Sequence, residues 1–218
     1  MTRIAVIDYG MGNLRSVAKA LEHVAHGSEI VITSDPAVVD GAERVVFPGQ
    51  GAMRDCMREL DARGLRPAVT RAARDKPFLG ICIGLQMLFD HSEEGDTPGL
   101  GILAGRVVRF PTDGMTDAQG NKLKVPHMGW NEVRQARPHL LWEGIANGSR
   151  FYFVHSYFPV PTDAATVAAT SRYPFEFTCG AARGNVFAVQ FHPEKSQDAG
   201  LRLLANFATW KPAAAPAG

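Results

Sequence analysis

The chain has 218 residues, 45% of them hydrophobic, which suits one domain with a substantial core; its formal charge of +1 offers no basic surface to nucleic acid or to an anionic membrane. Three cysteines, odd in number and unrelated in spacing, make no disulfide framework and suit a reducing compartment. No apolar stretch is long enough to cross a bilayer, and the N-terminus enters a strand without a signal-peptide pattern, so the expected location is the cytoplasm. In chain order the first half alternates. A strand is predicted at 3–8, then a helix with Leu14, Val17, Ala18, Leu21 and Val24 on one face, a strand at 29–33 and a short helix after Pro36. A strand at 44–47 leads to helix over 52–74, and a strand at 77–81 leads to another helix carrying Leu85, Leu88 and Phe89. Strands are then predicted at 107–110, 122–125, 129–133, 151–155, 166–172, 175–181 and 185–190, with Arg183-Gly184-Asn185 as a hairpin tip and a closing helix at 199–210. The expected fold is α/β, three layers, with a mostly parallel central sheet and antiparallel additions. It is read as one domain over 1–211, followed by a frayed tail at 212–218.

The most informative segment is Gly80-Ile81-Cys82-Ile83-Gly84-Leu85-Gln86. It sits between a predicted strand and a predicted helix, with a cysteine bracketed by glycines two places away on each side. That is the cysteine form of the nucleophile elbow, a strained turn that lifts the reactive atom out of the sheet. A helix N-terminus behind the sulfur favours the thiolate. Cys82 is therefore the candidate nucleophile, while Cys56 and Cys179 lack the glycine brackets and read as small buried hydrophobes.

A thiol nucleophile needs a base, and the base an orienting group. Among seven histidines, His192 in Phe191-His192-Pro193-Glu194 ends an apolar strand, and Glu194 lies two residues on, on the same side of an extended chain. Taken alone, this segment reads as a turn with a solvated charge; the elbow in the same chain reverses that reading. Upstream, Pro48-Gly49-Gln50-Gly51 follows another strand. The backbone N–H groups of Gly49, Gln50 and Gly51, together with that of Ile83, are candidate oxyanion donors, although Pro-Gly also marks a plain turn. The loop Gly10-Met11-Gly12-Asn13-Leu14-Arg15 lacks the third glycine of a dinucleotide fingerprint, and Cys82, His192 and Glu194 lack the clustered spacing of a zinc site. No metal or cofactor is called for.

In this order, an elbow cysteine, a strand-end His-Pro-Glu and an upstream Pro-Gly-x-Gly loop resemble the class I glutamine amidotransferases over nearly the whole chain. Three stretches, 8–16, Pro126-His127-Met128-Gly129-Trp130-Asn131 and 151–157, are similar to the glutaminase subunits of imidazole glycerol phosphate synthases. The resemblance implies a Cys82–His192–Glu194 triad that releases ammonia from glutamine through a thioester. It implies that Gln86, Glu94, Ser156 and Tyr157 bind the substrate. The implied partner is a (β/α)8-barrel cyclase subunit that receives the ammonia in histidine biosynthesis. Asn13, Met128, Trp130, Asn131 and Lys195 fall in subunit-specific stretches and are expected at that interface. Trp130 on composition alone is as readily a core residue. Gln50 departs from the apolar residue expected at its place, in a role carried by backbone. The alternatives are another glutaminase of this class, a γ-glutamyl hydrolase or cysteine peptidase on the same scaffold, and a non-catalytic regulatory subunit.

Overall fold

The computed structural model describes residues 1–111, 113–116 and 119–212. Of the predicted tail, 213–218 lie outside the described residues. The first half follows the predicted alternation: β1 (Thr2–Ile7), α1 (Leu14–Val24), β2 (Ser28–Thr33), α2 (Pro36–Gly41), β3 (Arg44–Phe47), α3 (Met53–Ala62), α4 (Arg66–Asp75) and β4 (Phe78–Ile81). The helical patterns predicted over 52–74 form two helices. Gly64 turns the chain at φ +65°, and Pro67 sits in the first turn of α4, where its missing N–H costs no helical bond.

After Cys82 the expected helix shrinks to one turn, α5 (Ile83–Gln86), and the chain returns to strands β5 (Phe89–Ser92), β6 (Thr97–Pro98) and β7 (Leu103–Arg109). Leu85, Leu88 and Phe89 are all fully buried, but the residues between them are buried too, and a run without an exposed face does not reveal its period. The remaining strands and α-helix are β8 (His127–Glu132), β9 (Arg134–Gln135), β10 (Arg150–His155), β11 (Tyr157–Pro161), β12 (Val167–Arg172), β13 (Glu176–Arg183), β14 (Val186–Val189) and α6 (Gln197–Thr209). The strand predicted at 122–125 reduces to one isolated bridge, Thr116 to Lys122. β11 escapes the sequence pattern because it holds Pro159 and Pro161; it lies at the edge of its sheet, where proline is tolerated.

The main sheet has eight strands in the order β2-β1-β3-β4-β14-β13-β12-β9. The first five are mutually parallel and the last three antiparallel additions. A smaller sheet runs β11-β7-β5-β6, and β10 pairs antiparallel with β8. Side chains alternate along the parallel strands and fill two cores. Ile4, Val6, Val46, Leu79 and Phe187 pack against Val17 and Leu21 of α1 and Leu203 and Phe207 of α6. Ala5, Ile7, Val45, Phe47 and Phe78 pack against Val39 of α2, Leu60 of α3 and Val69 of α4. Both faces are covered, which is why these strands read as continuous apolar runs. β3, β4 and β14 are adjacent and parallel, so the segments leaving their carboxyl ends meet: Pro48–Gly51, Cys82, and Gln190–Glu194.

Candidate active site

Cys82 sits between β4 and α5 at φ 56° and ψ −113°, a conformation that side-chain-bearing residues rarely adopt. Its N–H donates to the Val189 carbonyl at 2.8 Å, tying the elbow to the end of β14. The bracketing glycines are explained by contact. A Cβ on Gly84 would lie 1.9 Å from the Phe47 carbonyl oxygen, and one on Gly80 would lie 2.9 Å from the Ala188 Cβ. α5 can therefore close onto β3 only if its second residue has no side chain. Ile83 opens α5, so its N–H has no partner within the helix.

The sulfur borders a cleft of about 330 Å³ whose wall includes Gln50, Gly51, Ile83, Gln86, Glu94, Ser156, Tyr157 and His192. The residues expected for chemistry or substrate thus line this cleft, except Gly49 and Glu194, which lie at a small cavity beside it. Gly49 lies beneath, where a Cβ would fall 1.8 Å from the Tyr9 hydroxyl oxygen and 2.3 Å from Ile83. It borders a small adjoining cavity with Gln50, Asn13, His192 and Glu194.

His192 is buried, and its Nδ1 lies 2.8 Å from Glu194 Oε1. The two side chains meet through a 3-10 turn over Pro193–Lys195, not along an extended chain as the spacing suggested; β14 has already ended at Val189, and Pro193 starts that turn. Nε2 is buried without a hydrogen-bond partner on a wall shared with Cys82. Burial opposes the imidazolium, but Cys82 and Glu194 together outweigh it and raise the His192 pKa from 6.5 to about 10. Glu194 Oε2 is also buried and unpartnered. The arrangement can hold a proton on the imidazole beside the sulfur and return it to a leaving group.

Gln86 Nε2 donates to the Tyr157 carbonyl at 3.2 Å and to Gln190 Oε1 at 3.0 Å, while its own Oε1 is buried with no partner. Glu94 Oε2 accepts from the Met53 N–H at 2.9 Å. Sequence reasoning missed Gln190, whose Nε2 is 3.8 Å from Cys82 Sγ. The available signal was a polar residue ending an otherwise apolar strand. It also missed His155, which lines the cleft and bonds His127 at 2.9 Å from the facing position on β8. His155 Nδ1 donates to the Tyr157 carbonyl, so its Nε2 accepts from His127 Nδ1, and His127 Nε2 accepts from Asn131. Burial pushes the His155 pKa down to about 3 and that of His127 to about 4, keeping both neutral.

The residues expected at an interface are placed separately. Met128, Trp130 and Asn131 line a second cleft of about 720 Å³ with Arg172 and Tyr173. Trp130 is 39% exposed and Met128 62%, so Trp130 does not lie in the core. Trp130 meets the Tyr152 ring edge-on at 6.2 Å, and Lys195 Nζ sits 5.9 Å over the same ring. Asn13 and Lys195 do not line this cleft; Asn13 lies at the small cavity beside His192 and Glu194. Among the described residues, no group of three or more His, Cys, Asp or Glu is placed to hold a metal, and no helix is long and apolar enough to cross a membrane.

Residues 5–210 match the family described as "Glutamine amidotransferase class-I". An imidazole glycerol phosphate synthase subunit HisH from Aromatoleum aromaticum is 69% identical over 212 residues, covering 97% of this chain and all of that protein. Its counterpart from Thiobacillus denitrificans is 68% identical over 209 residues, 96% of this chain and 92% of that protein. Among solved structures, PurLQS from Thermotoga maritima superposes with a TM-score of 0.68 at 20% identity, covering 94% of this chain and 97% of that one. A second, titled a glutamine amidotransferase, gives 0.68 at 19% identity over 94% and 98%. These two likenesses concern the fold.

Proposed function

Because the chain belongs to the class-I glutamine amidotransferases, and within them to the imidazole glycerol phosphate synthase subunits HisH, we propose that Cys82, His192 and Glu194 carry out its glutaminase reaction and that the ammonia passes to a cyclase subunit. The observation that carries the residue assignment is the buried His192–Glu194 pair at the end of β14, facing the elbow sulfur at the end of β4.

Glutamine enters the cleft with its amino-acid end toward Gln86, Glu94, Ser156 and Tyr157. The unpartnered Gln86 Oε1 is an acceptor for a substrate N–H. The Cys82 thiolate attacks the side-chain carboxamide, and a C–S bond forms as the C=O electron pair moves onto oxygen. N–H groups of the Gly49–Gly51 loop and of Ile83 receive that charge. His192 gives its proton to the nitrogen, the C–N bond breaks, and ammonia leaves a thioester. His192 then takes a proton from water, which attacks the thioester and releases glutamate and the thiolate. Glu194 holds Nδ1 throughout, which fixes the ring and supports its positive charge.

Met128, Trp130, Asn131 and Lys195 are assigned to the contact with the cyclase, a (β/α)8 barrel, and Asn13 to the link between that contact and the oxyanion loop. The working particle is then a cytoplasmic heterodimer with a protected passage for ammonia, and its overall reaction includes the cyclase's lyase step. The exposed aromatic and methionine side chains of the second cleft support a protein partner there. Glutamate release is to be measured for the chain alone and with the cyclase and its ligand. The expected result is slow release alone and about a hundredfold or greater stimulation in the complex, the size of one oxyanion donor. Full activity of the isolated chain would remove the coupling from this proposal.

A further inference from the structure

We propose that Gln190 is a further residue of the reaction centre: its side-chain N–H holds the Cys82 sulfur in the thiolate form and fixes its direction. This rests on the reading of Cys82 as the nucleophile. Gln190 follows β14, is wholly buried and does not line the cleft. It therefore reaches the sulfur from inside the fold, leaving the substrate side open. Its Nε2 lies 3.8 Å from Sγ, a distance at which an N–H engages a large sulfur atom.

The end of the amide that faces the sulfur is determined by its neighbours. The Tyr157 carbonyl can only accept, so Gln86 presents its NH2 there, at 3.2 Å. The second hydrogen of that nitrogen goes to Gln190 Oε1, at 3.0 Å. With its oxygen occupied, Gln190 turns its nitrogen to Cys82. One main-chain carbonyl thus sets the polarity of a relay that ends in a donor aimed at the reacting atom. A flipped amide would direct an oxygen at the sulfur and leave two NH2 groups facing each other in a buried site.

A donor at this place acts on both halves of the reaction. It favours the charged sulfur before attack, since hydrogen bonds to ions are the stronger ones. When the C–S bond forms, the sulfur loses its charge and the N–H···S contact weakens. When water attacks the thioester, the C–S bond breaks, the electron pair returns to sulfur and the contact re-forms, which eases departure of the thiolate. His192 and Glu194 manage the proton, and Gln190 acts on the electron pair.

The test uses two variants in the full chain. Gln190→Met keeps the volume and removes the donor. Gln190→Glu still accepts from Gln86 but presents an acceptor to the sulfur. The rate of iodoacetamide alkylation of Cys82 is measured against pH, with the adduct located by mass spectrometry and folding followed by Tm. The expected result is an upward shift of the alkylation profile, with the rate at pH 7 down about tenfold in Gln190→Met and further in Gln190→Glu. Glutaminase kcat should fall in the same order with little change in KM. Either folded variant is sufficient. An unmoved profile, or effects that follow Tm and not the donor-to-acceptor order, would overturn the proposal. Absence of any Cys82 adduct in the unaltered protein would instead overturn the nucleophile assignment on which it rests.

Discussion

The two clefts share a strand pair and differ in kind. β8 and β10 run antiparallel with His155 opposite His127 and Tyr152 opposite Trp130. On one side, Val154 and His155 face the smaller cleft, where Cys82, Gln86 and His192 are all nearly inaccessible and Gln86 Oε1 and His192 Nε2 are buried without partners. On the other, Met128 and Trp130 of β8 stand in solvent beside a cleft more than twice as large. Buried polar atoms are costly to leave unpaired, and two of those among the described residues belong to side chains on this cleft. An exposed Trp–Met surface has the side-chain types that protein interfaces favour. The His155–His127–Asn131 chain joins the two by hydrogen bonds alone, without a charge.

Substitutions that separate chemistry from docking test this contrast. Cys82→Ala should abolish glutamine hydrolysis, by on the order of 10⁴-fold or more, while added ammonia still feeds the cyclase. Retained hydrolysis would end the division between the clefts. His192→Ala should lower kcat by roughly 10²- to 10⁴-fold, and Glu194→Gln by less, since the imidazole remains. Equal and negligible losses would return 192–194 to the status of a turn.

The titrating groups give the contrast a pH signature. The buried His155 and His127 have folded pKa values depressed to about 3 and about 4, so the unfolded chain binds more protons below pH 6.5. Through these two groups stability should fall as pH drops from about 6.5 toward 4, by on the order of 4 kcal/mol between pH 7.5 and 5, and His139, also pushed down to about 4 by burial, acts in the same direction. His192 has the opposite sign. Its pKa is raised to about 10, so its contribution is complete below about 6.5 and is lost as pH rises through 10. Urea unfolding across pH measures both; a flat acid limb would mean that the histidine pair is solvated.

The second cleft should respond more weakly. Trp130→Ala should cost about 2 kcal/mol of cyclase binding with little change in Tm, as expected for an exposed aromatic anchor. Unfolding of the isolated chain without a specific binding defect would place Trp130 in the core after all. Lys195→Ala removes a cation 5.9 Å over Tyr152 and should weaken binding by less than about 1 kcal/mol. Its effect should show in the product-to-glutamate ratio, which a binding titration reads separately.

The parallel half was legible because it repeats one local rule. Strands buried on both faces alternate with helices buried on one, and each leaves its period in the sequence. The elbow was legible because close backbone approach to Phe47 admits only glycine at position 84. The antiparallel half was read less well. β11 was hidden by its prolines, and 122–125 resembled a strand by composition while making only an isolated bridge. The one-turn length of α5 depends on where β5 finds its partner β7, which no local pattern encodes.

The sequence by itself therefore determined the kind of chemistry: a glycine-bracketed cysteine, a strand-end histidine with an acid two residues on, and an N–H-rich loop each carry their reason in a few adjacent residues. Only the tertiary structure decided which groups come together. The sulfur meets Gln190 across 108 positions and the cleft is closed by residues from β10 and β11, because contacts between strand ends follow from sheet order. Whether a tryptophan covers a core or awaits a partner depends on what packs over it, and the structure leaves Trp130 with one face in solvent.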